Sequence, residues 1–480
     1  MPEFFFSHWV TIIVVLVYSV SIISICNIIV LENRNPVRSL AWITVLLFLP
    51  VIGLVFYLFF GRNIKNKALI SKRLKKRSYL NRYVKQVDIA ALPLTEESRG
   101  QIMLGHQLAG ATYFPNNDIQ IFTNGREMFD AYKKDLLQAQ QFINIQFYIF
   151  KDDKIGNEIA EILMEKARAG VIVRVIYDHV GSLRVSKAFF RRLKEAGVEV
   201  CPFFKVTFPE FATRVNWRNH RKITTIDGVI GYIGGMNLAD RYVEGLPDGR
   251  VWRDTHIRIY GPSCLGLVHS FHLDWRFMEQ PLFSDIAKPL PRFDRPAGEA
   301  GVQILSSGPI GQWHNISMMF DKAISSAKKC VYIETPYFLP TESLLRSLQT
   351  AALSKVDVRI IVPRTPDSRM LKLATASYIG ECLRAGIKFY YYEPGMLHSK
   401  NIIIDEEFTT TGSTNFDFRS MEYNFECNAF IYSREINAKM KEIFMTDLGE
   451  STRILSSTWK HRPFLQKLKE SLVRLMSPVL

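Results

Sequence analysis

The stretch His220-Arg221-Lys222-Ile223-Thr224-Thr225-Ile226-Asp227-Gly228-Val229-Ile230-Gly231-Tyr232-Ile233-Gly234-Gly235-Met236-Asn237 decides the fold, because the chain repeats its pattern. The second copy is His398-Ser399-Lys400, then Asp405, then Gly412-Ser413 and Asn415. Both copies read H-x-K-x4-D-x6-G-(G/S)-x-N without a gap. So many matched polar positions at fixed spacing signal an internal duplication.

Outward from each copy the same order of elements recurs. In the first half, residues 119–122, 142–149 and 171–176 read as strands. Helical spacing covers 126–141, 156–169 and 189–196, the last two stopped by Gly170 and Gly197. In the second half, helices at 316–327, 341–353 and 371–385 lead into strands at 330–334, 358–362 and 388–392. Ala-Gly-Val-Glu-Val at 196–200 matches Ala-Gly-Ile-Lys-Phe at 385–389. The expected fold is α/β, with two tandem domains related by a pseudo-twofold axis, each a helix-covered mixed sheet. They are expected at 116–295 and 296–480, with the proline-rich stretch 281–296 at the boundary. The first half alone carries an aromatic and basic insert, 201–219, suited either to a bilayer lip or to a cover on the core.

Before the repeat lie two apolar runs, 9–31 and 40–60, joined by a short polar turn. Each is long enough to cross a hydrocarbon core of about 30 Å, so residues 1–61 read as a transmembrane hairpin. A basic linker, 62–115, follows; its lysines and arginines between 62 and 77 place the bulk of the chain on the cytoplasmic side. The 480-residue chain carries a formal net charge of +15, which favours an anionic partner: nucleic acid, an acidic lipid surface or a phosphate substrate. Its 6 cysteines form no CxxC pair, which argues against a zinc knuckle or dithiol motif. Near the C-terminus, Phe464, Leu465, Leu468, Leu472, Leu475 and Met476 recur at helical spacing, fit for a membrane face or for packing on the second half.

The repeated motif carries the chemistry. On a strand, residues i and i+2 share a face, so His220 and Lys222 point together, as do His398 and Lys400. A lysine neutralises phosphate charge, while a histidine attacks or shuttles a proton near neutral pH. Asn237 and Asn415 are placed to donate to phosphoryl oxygens. A covalent phosphodiester exchange needs a nucleophile and an acid, and two halves packed face to face supply both. The histidines lack companion metal ligands and lysines beside them repel a cation, so neither metal nor other cofactor is expected.

This pair of motifs resembles the signature of the phospholipase D superfamily. The N-terminal stretch Asn35-Pro36-Val37-Arg38-Ser39-Leu40-Ala41-Trp42, with Phe60-Gly61-Arg62-Asn63 and Trp252-Arg253-Asp254-Thr255-His256, is similar to bacterial cardiolipin synthases. The resemblance implies His220 as the nucleophile that takes a phosphatidyl group from one phosphatidylglycerol and releases glycerol. It implies His398 as the acid for that glycerol and then the base for the hydroxyl of a second phosphatidylglycerol. Lys222, Lys400, Asn237 and Asn415 would hold the phosphate, and the motif aspartates Asp227 and Asp405 would organise the site. Asp254 in Trp-Arg-Asp parallels Glu426 in Asn-Phe-Glu, and a carboxylate on the far ring nitrogen would orient each histidine. Ser413 stands where the first copy has Gly235 and fits the same turn. The implied setting is a bacterial cell membrane, with no nucleic acid partner. Rivals using the same motif are a lipid hydrolase, a phosphatidylserine synthase and a nuclease; a non-catalytic membrane scaffold is the rival from another class.

Overall fold

The structure, a computed structural model, describes residues 2–31, 36–57, 87–205, 217–278, 293 and 295–477. The basic cluster at 62–77, the centre of the insert at 206–216 and most of the proline-rich boundary lie outside the described residues.

The N-terminal unit begins with one helix, Pro2–Leu31. The second apolar run is divided into Pro36–Phe48 and Pro50–Phe56. Pro50 sits in the first turn of the latter, where its missing N–H is tolerated, and Leu49 leaves helical geometry at φ −131° and ψ 63°. Leu46 and Tyr57 are buried together, with Ile25, Trp42, Ile43 and Leu54 packed around them. Among the described residues no helix is long and apolar enough to cross a membrane.

The second unit holds a 15-stranded mixed sheet. Its strands are β1 (Tyr113–Phe122), β2 (Phe142–Phe147), β3 (Ile172–Asp178), β4 (Glu199–Phe203), β5 (Ile223–Ile226), β6 (Ile230–Gly234) and β7 (His256–Tyr260) in the first half. The second half gives β8 (Ala300–Ser307), β9 (Cys330–Glu334), β10 (Asp357–Pro363), β11 (Lys388–Tyr392), β12 (Asn401–Ile404), β13 (Phe408–Gly412), β14 (Glu426–Tyr432) and β15 (Ser451–Arg453). From the middle outward, one half runs β1-β7-β6-β5-β2-β3-β4 and the other β8-β14-β13-β12-β9-β10-β11, with β15 added at the edge. The duplication is therefore visible strand for strand. The two expected sheets are one, joined where β1 pairs antiparallel with β8, Tyr113 opposite Gln303. In each half the three outer duplicated strands are parallel and joined through helices, as crossover connections require.

One face of the sheet is covered by Cys264–Phe277 and Arg434–Gly449, over a core that includes Ile257, Phe271, Ala429 and Phe444 from both halves. On the other face, Gly125–Gln138, Lys154–Arg168 and Lys187–Glu195 cover the first half, and Asn315–Ser325, Glu342–Leu353 and Arg369–Ala385 cover the second. Each fully buried Leu, Ile or Phe in these layers contributes about 1.5–3 kcal/mol.

Within the stretch read as a linker, Glu96–Ala109 is a helix capped by Thr95 and by Gly110 at φ 61°. It packs on the second half: Gln101 Nε2 donates to the Met319 carbonyl at 2.6 Å, and Ser98 Oγ to Glu407 at 2.6 Å. At the near end of the insert, Phe203 and Phe204 are core residues, in ring contact with Phe277 and Phe425. The C-terminal helix Phe464–Arg474 packs through Arg474, which pairs with Glu381 and lies over Tyr378. Its Phe464, Leu465, Leu468, Leu472 and the following Leu475 and Met476 remain exposed.

Candidate active site

Each motif begins just before a short strand and ends just after its hairpin partner. β5 pairs with β6, and β12 with β13. The motif aspartates sit at the hairpin turns, in left-handed geometry, with φ 52° at Asp227 and 49° at Asp405. Asp227 accepts the backbone N–H groups of Gln140, Gln141 and Phe142, each at 2.8 Å. Asp405 does the same for Lys328, Lys329 and Cys330. Both carboxylates thus pin the hairpin to the start of β2 or β9, at the end of the strand away from the histidines. Their organising role is therefore exercised on the scaffold, away from the reacting groups. Asp227→Ala should lower stability by about 2–4 kcal/mol, the loss of charge-assisted hydrogen bonds, with specific activity per folded molecule retained. Urea denaturation beside a turnover assay checks this.

The histidines lie where the halves touch. A bridge between Asn219 and Phe425, with the His220 N–H donating to the Phe425 carbonyl at 2.9 Å, lays the first motif along the Asn-Phe-Glu segment of the second half. Reciprocally, Gly395–Leu397 pairs with Val251–Arg253, and the His398 N–H donates to the Arg253 carbonyl at 2.6 Å. The carboxylates consequently cross over. Nδ1 of His220 lies 3.0 Å from Glu426 Oε1, and Nδ1 of His398 lies 2.6 Å from Asp254 Oδ2. Each histidine is oriented by the acid of the opposite half, a swap that counting along the chain does not reveal.

Both acids are fully buried. Ser413 Oγ donates to Glu426 at 2.5 Å, and Asn424 Nδ2 donates to it at 3.2 Å. At the matching place in the first half, a Cβ on Gly235 would sit 2.0 Å from Asp254 Oδ1. The Gly/Ser difference between the motifs thus follows the shorter and longer acids. Gly235→Ala should push Asp254 off His398 and lower turnover at least about tenfold, roughly 1.4 kcal/mol of barrier, more than Ser413→Ala does. Comparing kcat of the two variants tests the order.

Lys222 Nζ folds back onto the His220 carbonyl at 2.6 Å, and Lys400 Nζ onto the His398 carbonyl. Lys400 Nζ is also 3.0 Å from His398 Nδ1. Burial pushes the Lys222 ammonium well below its usual range although Glu426 opposes it. Burial likewise brings Lys400 down to about 8, with Asp254 opposing. Burial lowers both imidazoles, His398 further, with Lys400 and Lys222 adding to the effect there. Burial works to raise Glu426, yet His220 and Lys222 outweigh it and hold that carboxyl below its usual value. Lys222 feels both Glu426 and Asp254, and so does Lys400, so the two motifs share one electrostatic site.

Asn237 is already engaged, donating to Tyr242 Oη at 2.6 Å and accepting from the Ile149 N–H at 3.1 Å. Asn415 donates to Asp417 at 3.0 Å. Sequence reading missed the aromatic walls. Tyr148 meets the His220 ring edge-on at 5.1 Å, and Trp252 and Tyr242 flank His398 at 5.3 and 6.2 Å. Arg241 lies 4.4 Å over Trp252 and adds a cation beside the motif lysines. Trp252 was visible in the Trp-Arg-Asp segment; Arg241 had no signal of its own.

A helix-covered sheet duplicated about one histidine pair defines a phospholipase D-type protein, and the comparisons agree. The family model described as "Cardiolipin synthase, PLD-like domain" matches residues 132–251 and 320–448. The model "Phospholipase_D-nuclease N-terminal" matches 11–62. The chain is 38% identical over 465 residues to a cardiolipin synthase of Geobacillus sp. (strain WCH70), covering 96% of this chain and 93% of that one. It is also 38% identical to the major cardiolipin synthase of Bacillus subtilis (strain 168), covering 94% and 95%. A phosphatidylserine synthase structure from Haemophilus influenzae shares the fold, with a TM-score of 0.61 at 14% identity, over 81% of this chain and 100% of the other. The chain belongs to the cardiolipin synthase family of the phospholipase D superfamily.

Proposed function

We propose that this enzyme joins two phosphatidylglycerol molecules into cardiolipin and glycerol through a phosphatidyl-histidine. The observation that carries the reading is the crossed pairing: one histidine from each half, each held at Nδ1 by the other half's acid. Nδ1 of His220 faces two acceptors, Glu426 and the Ser413 carbonyl at 3.1 Å, so it carries the proton and leaves the Nε2 lone pair for attack. Nε2 of His220 attacks phosphorus and forms the P–N bond. The bond from phosphorus to the glycerol oxygen breaks, and His398 gives that oxygen its proton. The neutral His398 then takes the proton of the primary hydroxyl on the second phosphatidylglycerol. That oxygen attacks phosphorus, the P–N bond breaks, and His220 is regenerated. Lys222 and Lys400 neutralise the phosphoryl oxygens, and Asn237 and Asn415 contribute their remaining amide hydrogens. An incoming phosphate favours the protonated form of His398, which supplies the acid that burial alone disfavours.

The N-terminal hairpin holds the enzyme at the membrane in this reading, with the catalytic halves on the cytoplasmic side. Ile12, Leu16, Ile22, Ile23, Leu40 and Phe48 are each more than half exposed, as a lipid-facing surface requires. Ser19, Ser21 and Ser24 return their hydroxyls to carbonyls one turn back, leaving no donor for water. An impermeant thiol reagent on intact cells should fail to label Lys439→Cys; labelling would reverse the orientation.

Purified enzyme in phosphatidylglycerol vesicles, followed by lipid mass spectrometry, tests the reaction. Equal amounts of cardiolipin and glycerol are expected. Phosphatidic acid as the main product would make it a hydrolase.

A further inference from the structure

A buried arginine–aspartate cluster lies beside each histidine motif, its arginine drawn from the histidine motif in the first half and from Trp-Arg-Asp in the second. In the first half Arg221 Nη1 pairs with Asp274 Oδ2 at 2.6 Å. The same oxygen accepts Asn219 Nδ2 at 2.8 Å and the amide of Gln146. In the second half Arg253 Nη2 pairs with Asp447 Oδ2 at 2.7 Å. Gln146 sits opposite Ile223 in the last β2–β5 pair, and Glu334 sits opposite Asn401 in the last β9–β12 pair. Glu334 therefore occupies the place of Gln146, and Asp447, like Asp274, lies on the helix that covers the same face of the sheet and pairs with an arginine.

Gln146 is a donor there, whereas an ionised Glu334 has nothing to donate. Glu334 and Asp447 are 1% and 4% exposed and close enough for Asp447 to push the Glu334 carboxyl up, a neighbourhood two carboxylates share at low cost only with a proton between them. The other oxygen of Glu334 accepts Asn401 Nδ2 at 2.8 Å, and its Oε1 has no donor among the described residues. One arginine facing two carboxylates leaves a buried charge uncompensated, a costly arrangement unless one acid is neutral. Charged or titratable groups around Glu334 are Asp447 on Arg434–Gly449 and Arg253 on Val251–Arg253, with Tyr392 on β11 reached through Asp447.

We propose that Glu334 is a neutral carboxylic acid that donates to Asp447 as Gln146 donates to Asp274, and that this proton holds the Arg253 strut behind His398. The strut is direct. Arg253 Nη1 donates to the Asp254 carbonyl at 2.8 Å and to Ser399 Oγ at 3.1 Å, while its own carbonyl takes the His398 N–H. Glu334 is thus a positioning residue for the acid–base histidine, a role that rests on the reaction proposed above. Burial first, then the neighbouring Asp447, pushes its carboxyl up to about 8, against the pull of Arg253.

The test is Glu334→Gln in the full-length enzyme. Wild-type kcat should fall above about pH 8 with two ionisations, Glu334 and Lys400, approaching a hundredfold per pH unit. In the variant the Glu334 ionisation is removed, and the fall should be shallower by up to about tenfold per unit. Stability gives a readout independent of the reaction. The folded value lies above the unfolded one, about 4.3, so this group's contribution is complete below about 4.3 and is lost progressively as pH rises from there to about 8. The wild-type melting temperature should drop relative to the variant across that window and run parallel outside it. Difference infrared spectra at neutral pH should show a protonated-carboxyl band that the variant lacks. The converse Gln146→Glu should add an alkaline loss to an enzyme with Glu334 intact. Superimposable pH profiles and melting curves, or an infrared band unchanged by the substitution, would overturn the assignment. A missing cardiolipin product with the band and melting window present would instead count against the proposed reaction alone.

Discussion

Replacing His220 with alanine should lower cardiolipin formation by about four orders of magnitude or more, with no lipid attached to the protein. The ring is the nucleophile in the proposed path, and its neighbours offer no substitute. Lys222 is buried and turned onto the His220 carbonyl, and Tyr148 presents its ring to the imidazole. His398→Ala should be comparably slow on phosphatidylglycerol for a different reason, since the departing glycerol oxygen then lacks its proton. A phosphatidyl ester with nitrophenol as the leaving group needs no such proton. With that substrate His398→Ala should regain a rapid first step and accumulate adduct, while His220→Ala should stay inactive. Quenched-flow measurement of released nitrophenol separates the two.

The second large effect belongs to the crossed acids. Glu426→Gln should slow turnover by about 10²–10⁴-fold, because an amide that donates toward Nδ1 selects the wrong ring tautomer. The defect should follow His220 although Glu426 is encoded in the other half. With the nitrophenyl ester, Glu426→Gln should still be slow to form the adduct, whereas Asp254→Asn should form it readily. Carboxylates serving the histidines of their own halves would give the opposite pattern. Ser413→Ala in the Glu426→Gln background should add little, since the hydroxyl acts through that carboxylate.

Much of this was legible before any coordinates. The alternation of helix and strand around each histidine motif specifies an α/β repeat, and beyond Asn237 and Asn415 the acid of Trp-Arg-Asp, Asp254, parallels that of Asn-Phe-Glu, Glu426. Pairing across the halves was not legible. The repeated motif says nothing about Phe425 accepting from His220 or Arg253 accepting from His398, since both bonds depend on how β1 meets β8. For the same reason two sheets were expected where one runs through. Asp227 and Asp405 read as site residues because they travel with the histidines, yet their spacing matches a hairpin turn, where an aspartate tolerates positive φ and caps free N–H groups. The polar stretch from Leu94 to Arg99 reads as helical within the linker, but its docking on the second half does not, because the buried side of Glu96–Ala109 is small, built on Ser98, Gln101, Ile102 and Gly105.

The stereochemical course at phosphorus tests the shared two-histidine site most directly. Phosphatidylglycerol made chiral at phosphorus with sulfur and oxygen isotopes would be converted to cardiolipin and its configuration read by phosphorus NMR. Two successive in-line displacements, first by His220 and then by the second lipid's hydroxyl, give net retention. Net inversion would mean a single direct displacement with no covalent histidine, and would contradict the account.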